Sequence, residues 1–159
     1  MESSLTDPLR QHIADLLVWE EAHVGFDKAV KGITPRYRGA VPDGLPHSPW
    51  QLLEHLRIAQ ADILEFCRSS RYKAKKWPDD YWPVSPKPPN AAAWTRSIAA
   101  FRRDRAALQR LARNPKIDLF ARIPHGTGQT YLRELLLIAD HTAYHAGQLV
   151  IVRRALGDW

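Results

Sequence analysis

The chain has 159 residues, of which 45% are hydrophobic and 25% are charged, and this composition excludes a disordered or low-complexity protein. The length suits one domain, expected to span residues 1–159, with a core of its own. The formal net charge of +6 leaves nucleic acid or an acidic ligand open as a partner. However, the basic residues are spread along the chain, so we expect solvated basic faces and no nucleic-acid site.

Three features of the sequence favour a cytoplasmic protein that does not bind a membrane. No apolar run approaches the roughly 18 residues that a membrane-spanning helix needs. The acidic-polar stretch 1–7 does not resemble a signal peptide. Cys67 is the only cysteine, so no internal disulfide can form. We expect Cys67 to be a small buried residue, with a nucleophilic thiol as the alternative.

The first helix is predicted to start at residues 6–8, where a capping threonine is followed by aspartate and proline, and to end at Gly32. Its apolar stripe also passes through Glu20, His23 and Asp27. These polar residues could therefore point toward the interior. The alternative is that the stripe shifts and they face water.

A second helix, residues 49 to about 69, is predicted from the capping box Ser48-Pro-Trp-Gln51. His55 lies in its second turn among apolar neighbours. The irregular segment that follows, residues 71–90, contains Trp77, Tyr81 and Trp82. Since a flexible linker does not need large aromatic side chains, we expect this segment to pack over the helices, either as a functional lid or as plain cover of the core.

Two further helices are predicted, from a cap at Asn90 to about residue 113 and from a cap at Thr130 to about residue 156. Four amphipathic helices without clear strands indicate an all-α protein. The predicted fold is a four-helix bundle with long irregular connections.

The last helix carries the most informative stretch of the chain. His141 and His145 are four residues apart and therefore share one helical face, which also contains Gln148. Because the ends of this stripe are apolar, the imidazoles are expected to be buried and to need a partner, which could be a metal ion. His55 is the candidate third ligand. Three histidines would leave coordination positions open, as in catalytic sites, whereas surface or core histidines remain the alternative.

Two stretches of the chain closely resemble the two motifs of the DinB-like superfamily. They are Ser48-Pro-Trp-Gln-Leu-Leu-Glu-His-Leu56 and Asp140-His-Thr-Ala-Tyr-His-Ala-Gly-Gln148. The members of this superfamily are bacterial four-helix bundles in which three histidines hold a metal, and the motif positions correspond here to His55, His141 and His145. The order and separation of the motifs and the total length agree as well.

The resemblance implies a metal-dependent enzyme, because characterised relatives include thiol-dependent transferases, isomerases and hydrolases. The expected cofactor is one divalent transition metal, with zinc or nickel ahead of iron. The expected substrate is a small molecule, with a low-molecular-weight thiol as one candidate, and a homodimer is expected because relatives are often dimeric. Glu20, His23 and Gln148 are candidate pocket residues, and Asp27 and Glu134 are further candidate acceptors for the imidazoles.

Two other classes of function stay open at this point. A non-enzymatic metal-bound module could bind a small ligand or a partner protein with the same three histidines. A nucleic-acid binder would act through arginines, of which Arg102, Arg103 and Arg105 are the closest group. We expect the arginines not to form such a site.

Overall fold

The computed structural model describes residues 3–159, with side chains described from Asp7 onward. This part of the chain has no β-strand, and it forms five α-helices: α1 (Ser3–Leu16), α2 (Phe26–Val30), α3 (Pro49–Arg68), α4 (Ala91–Arg113) and α5 (Tyr131–Ala155). Two short 3-10 helices lie in the connections, at Pro35–Tyr37 and Asp79–Tyr81. The prediction of an all-α protein is confirmed.

The single long first helix that the sequence predicts is wrong, because the chain forms two helices there. α1 ends at Leu16, where the amides of Val18 and Trp19 bond back to carbonyls one turn earlier. α2 begins only at Phe26, after a tight approach in which a Cβ on Gly25 would lie 2.6 Å from the Glu20 side chain. The helix also starts earlier than predicted, so the proline expected at its first turn lies inside α1.

The other predicted helix starts are confirmed by their caps. The amide of Gln51 donates to the Ser48 hydroxyl and the amide of Ser48 donates to the Gln51 side chain, which is the reciprocal capping box expected for α3. Asn90 caps α4 and Thr130 caps α5, each by accepting an amide of the first turn.

The long helices bury two apolar clusters. α3 packs against α4 and α5, α1 packs mainly against α4, and the short α2 packs against α5. One cluster includes Phe26, Trp50 and Phe101, and the other includes Leu108 and Leu135. On α5 the residues of the two clusters lie on either side of the histidines, so the polar site lies between two regions of packed core.

Two buried arginines close the ends of helices. Arg10 donates to the carbonyls of Ala112, Asn114 and Ile117 at the end of α4 and just beyond it. Arg153 does the same for carbonyls at the end of α2. Backbone carbonyls left without partners in the last turn of a helix need such donors when they are buried. These arginines therefore stabilise the fold.

Segment 71–90 packs across α3, as the sequence predicts. The Ser48 hydroxyl donates to the carbonyl of Pro86, and the aromatic residues Tyr81 and Trp82 contact His55. The 3-10 helix Asp79–Tyr81 within this segment places the backbone carbonyl of Tyr81 beside the ring of His55. The segment therefore covers the part of α3 that carries His55.

Within the described part of the chain, α5 is also the one helix that is long and apolar enough to cross a membrane by length and composition. Core helices of soluble proteins pass the same test. α5 packs against α2 and α3 along its buried side. Of its apolar 18-residue window, 39% is buried in the fold.

Candidate metal centre

Three histidines from two helices converge on one point. His55 projects from α3, and His141 and His145 project from successive turns of α5. The Nε2 atom of His55 lies 2.9 Å from Nε2 of His141 and 3.1 Å from Nε2 of His145. His55 is only 1% exposed and His145 is buried as well. The structure thus brings together the three residues that the sequence singles out.

The outer nitrogens of two rings are held by acceptors. Nδ1 of His55 lies 3.0 Å from the backbone carbonyl of Tyr81, which can only accept, so this nitrogen carries the proton. Nδ1 of His145 donates to Oε1 of Gln148 at 2.6 Å, and the Gln148 amide donates in turn to the Tyr144 hydroxyl. With the protons on Nδ1, the Nε2 atoms present lone pairs to the centre of the cluster.

This donor set fits a divalent metal ion. Lone pairs that face one another at about 3 Å repel unless a cation or a proton lies between them. Around a tetrahedral zinc with bonds of 2.0–2.1 Å, neighbouring ligand nitrogens are about 3.3 Å apart, close to the spacing seen here. Acceptors that fix the outer nitrogen of each ligating histidine are also typical of metal sites. The ring of His141 is the exception, because its buried Nδ1 has no hydrogen-bond partner among the described residues.

An aromatic stack holds the His55 ring in place. The Trp82 indole lies on the imidazole of His55 with a centroid separation of 3.8 Å and an interplanar angle of 4°. His47 stacks on the other face of Trp82 at 4.0 Å. No individual site role is predicted from the sequence for Tyr81, Trp82 or His47. The signal that could have suggested them is the concentration of aromatic residues in a segment that needs none as a linker.

The histidines of the cluster are neutral at neutral pH. Burial, together with the neighbouring imidazoles, lowers the pKa of His141 to about 3 and that of His145 to about 4. Burial also lowers the pKa of His55, partly offset by the hydrogen bond to Tyr81. Since a metal binds only the unprotonated nitrogen, the cluster is in its ligating form without further proton loss.

A cavity of about 610 Å³ opens beside the cluster. His55 and His141 form one end of its wall, and the rest is contributed by α3, the start of α5, segment 71–90 and the turn at residues 125–129. Its volume lies in the range of small-molecule sites. The arrangement therefore provides a space for a substrate next to the nitrogen atoms that could hold a metal.

Gln148 and Glu134 are the two further sequence candidates that lie at the site. Gln148 contacts His145 as described above, and Glu134 lines the cavity, where its buried carboxylate accepts from Arg133 at 2.6 Å.

The structure places the other sequence candidates elsewhere. Glu20 and His23 are exposed in the turn after α1, where Glu20 accepts the amide of Lys28 and His23 contacts the carbonyl of Val24. Their expected inward direction depended on a helix that stops at residue 16, so the helical period no longer applies to them. Asp27 instead pairs with two arginines of α4.

Cys67 is buried near the end of α3, as predicted. Burial raises the pKa of its thiol to about 12, and the carboxylate of Glu134 contributes to the rise. The thiolate is the nucleophilic form of cysteine, so Cys67 is inert at neutral pH.

The lowered pKa values predict how the stability of the metal-free protein depends on pH. An imidazole in the unfolded chain has a pKa of about 6.5, so between that pH and about 4 the unfolded chain binds more protons than the folded one. The free energy of unfolding should therefore fall as the pH drops from 7 to 5, by about 2 kcal/mol for each of His141 and His145. Urea titrations of the chelator-treated protein at pH 7 and at pH 5 measure this change in the free energy of unfolding.

The variant His141→Gln should have a smaller drop between the same two pH values, because one of the neutral imidazoles is gone. His23→Gln is the matched control, and it should keep the drop of the parent because His23 is exposed and outside the cluster. A parent whose stability does not change between pH 7 and pH 5 would contradict the neutral buried cluster.

Comparison with known proteins agrees with the geometry. The family model of the DinB superfamily matches residues 18–149, which is most of the chain and contains all three histidines. Searches of curated proteins and of solved structures gave no match. The match over this length shows the family directly, and we conclude that the chain belongs to the DinB superfamily.

Proposed function

We propose that this protein is a metal-dependent enzyme in which His55, His141 and His145 hold one divalent transition metal. The observation that carries the proposal is that Nε2 of His141 and Nε2 of His145 both lie within hydrogen-bond distance of Nε2 of His55, with the Nδ1 atoms of His55 and His145 held by acceptors. Imidazole donors suit zinc and nickel best among the candidates, with iron next. Membership of the DinB superfamily supports a metal at this place.

Some residues of the site would bind the metal ion, and others would orient or cover the histidines that bind it. The three imidazoles hold the ion, the carbonyl of Tyr81 and the amide of Gln148 fix two of the rings, and Trp82 covers one side of His55. A bound divalent metal supplies Lewis acidity, which lowers the pKa of a water molecule or of a substrate thiol. The cavity beside His55 and His141 would place a second reactant close to that group.

The reaction we propose is the transfer of an electrophilic group to or from the sulfur of a low-molecular-weight thiol. Hydrolysis is the alternative reaction at the same site. The thiol comes from the resemblance to characterised members of the family. The cavity supports a small-molecule substrate in either case, because it is lined by several aromatic side chains and is about 610 Å³ in volume.

The second candidate is a non-enzymatic metal-bound module that binds a small ligand or a partner protein. The observation that favours it is the lack of an assigned proton donor at the histidines, since the described residues nearest to them hold the rings through carbonyl and amide groups. A module of this kind would bind the metal in the same way but would not turn over a substrate.

We further propose that the whole chain forms one four-helix-bundle domain, built by α1, α3, α4 and α5, and that it works in the cytoplasm without binding DNA. The pairwise packing of the long helices supports the bundle. The single buried cysteine suits a reducing compartment. Two of the arginines considered for DNA, Arg102 and Arg105, are engaged with Asp27, which supports the absence of a nucleic-acid site.

A homodimer would use the outer face of α5. Leu137, Tyr144 and Ile151 are exposed at intervals of seven residues, which places them in one stripe. Gly147 lies in the same stripe, and nothing would contact a Cβ there, so a second helix could approach closely. In an antiparallel pair centred on Gly147, Asp140 of one chain faces the arginine at position 154 of the other chain, because both lie seven residues from the centre.

The metal assignment predicts the metal content of single variants. His55→Ala, His141→Ala and His145→Ala should each weaken metal binding at least 100-fold, because two imidazoles hold a divalent ion poorly. Gln148→Leu should weaken it by about 10- to 100-fold through loss of the acceptor that orients His145. Elemental analysis after equal loading and dialysis measures both effects.

His23→Ala is the control for this series, since it removes an exposed histidine outside the cluster. It should retain a full equivalent of metal. Full retention by His55→Ala would show that the three-histidine site is wrong.

The enzyme assignment predicts turnover that depends on the metal. The metal-loaded protein should accelerate conjugation of a low-molecular-weight thiol to an aromatic electrophile, or hydrolysis of an activated ester, because the metal lowers the pKa of the attacking group. The chelator-treated protein and the His145→Ala variant should lose at least about 100-fold of that rate. Equal rates with and without metal across both panels would favour the non-enzymatic module.

The dimer proposal predicts that the chain sediments as a dimer at micromolar concentration and that Ile151→Arg converts it to a monomer. A cation at the Ile151 end of the apolar stripe would be buried without a partner in the pair. Val84→Arg, at a valine that is exposed in segment 71–90, is the control and should stay dimeric. A monomeric parent contradicts the proposal.

A further inference from the structure

The cavity beside the histidines contains a carboxylate with a free oxygen. Asp62 lines the cavity and is only 7% exposed. Its Oδ2 atom accepts from the hydroxyls of Tyr81 at 2.7 Å and Tyr72 at 3.2 Å. Its Oδ1 atom is buried and has no hydrogen-bond donor within residues 7–159. A buried carboxylate is costly when an oxygen stays unpaired, so a donor supplied by a ligand would stabilise it.

The other charged groups of the cavity do not form an ion pair with Asp62. Glu134 is the second buried acid in the wall, and Arg133 is paired with it at 2.6 Å. Burial and the Asp62 carboxylate raise the pKa of Tyr72 to about 12, so its hydroxyl stays a neutral donor. Among the described residues, Asp62 has no cationic partner within ion-pair distance. The cavity therefore carries a negative charge that its own side chains do not balance.

The walls around this carboxylate are aromatic. Phe66, Tyr72, Trp77 and Tyr81 line the same cavity as Asp62. Aromatic faces attract organic cations through their quadrupole, most strongly where water is excluded. An unbalanced carboxylate and a set of aromatic rings are two independent features, and the same ligand chemistry satisfies both.

We propose that this cavity binds an organic cation, namely an ammonium group carried on an apolar or aromatic body, with the cation at Asp62. Since Oδ1 is closed to solvent, a ligand cation reaches the carboxylate by turning it about its soft terminal torsion and replacing one of its two tyrosine hydrogen bonds. Asp62 and His55 are seven residues apart on α3, which is two turns or about 10 Å along one face. A ligand of about that length, with its cation at Asp62, reaches the histidines with its opposite end. Reaction at that opposite end rests on the proposed metal-dependent function, whereas binding of the cation at Asp62 does not.

Three probes of the same shape and different charge test the proposal: 4-phenylbutylamine, 4-phenylbutanol and 4-phenylbutyrate. Their dissociation constants are measured by calorimetry and by protein-observed NMR at pH 7 on the full chain, with and without bound metal. The amine should bind the parent at least tenfold more tightly than the alcohol, and the carboxylate should bind most weakly. The order should be the same without metal, because Asp62 acts through its own charge.

Asp62→Asn keeps the shape and removes the charge, so the preference for the amine should fall below about twofold. Tyr72→Phe is the matched control: it breaks one hydrogen bond to the same carboxylate but retains both the charge and the ring, and it should keep the preference. Thermal unfolding of each variant reports whether the fold is intact. If Asp62→Asn does not fold, Asp62→Ser, which also removes the charge, replaces it as the test.

Three results would overturn the proposal: equal binding of amine and alcohol to the parent, an amine preference that survives in the folded variant without the Asp62 charge, or no amine binding up to about 10 mM. Metal content is measured on the same samples. A parent that binds the amine selectively but retains no metal contradicts the proposed function alone. A parent that retains metal and does not distinguish the probes contradicts the cation site alone.

Discussion

The arrangement of this protein depends on the convergence of three imidazoles on one point. His55 and His145 are placed so that their protonated nitrogens face acceptors, which leaves their Nε2 lone pairs directed at each other and at His141. Without a cation or a shared proton, the facing lone pairs are an electrostatic cost within the core. A metal ion converts the same geometry into a favourable interaction, so binding energy and folding energy are coupled at this site.

The surrounding structure supplies what the cluster needs. α3 and α5 pack directly against each other, and the apolar side chains of two core clusters fix their register on both sides of the histidines. Segment 71–90 adds a carbonyl and an indole that orient one ring, from a part of the chain more than twenty residues away from His55. The outer shell of a metal site commonly determines the tautomer and direction of its ligands.

The cavity has two ends of different chemistry, and this division bears on what the protein can recognise. Neutral nitrogen ligands lie at one end, and a carboxylate with aromatic neighbours lies at the other. Membership of the DinB superfamily accounts for the first end, but a fold family does not determine a substrate. Asp62, Tyr72 and Tyr81 stand outside the two motifs that carry the family resemblance.

Local rules of the sequence determined the all-α class, the caps of α3, α4 and α5, and the pairing of His141 with His145, because each depends on residues within one or two helical turns. They did not determine the break between α1 and α2, since apolar residues continue through the turn and only the packing of Gly25 against Glu20 shows that the chain folds back. Of the two alternatives that the sequence leaves open for Glu20 and His23, the structure has the solvent-facing one. Tyr81 and Trp82 contact His55, and Tyr81 contacts Asp62, only because segment 71–90 packs against α3. Such contacts follow from how elements pack in three dimensions, and no periodicity encodes them.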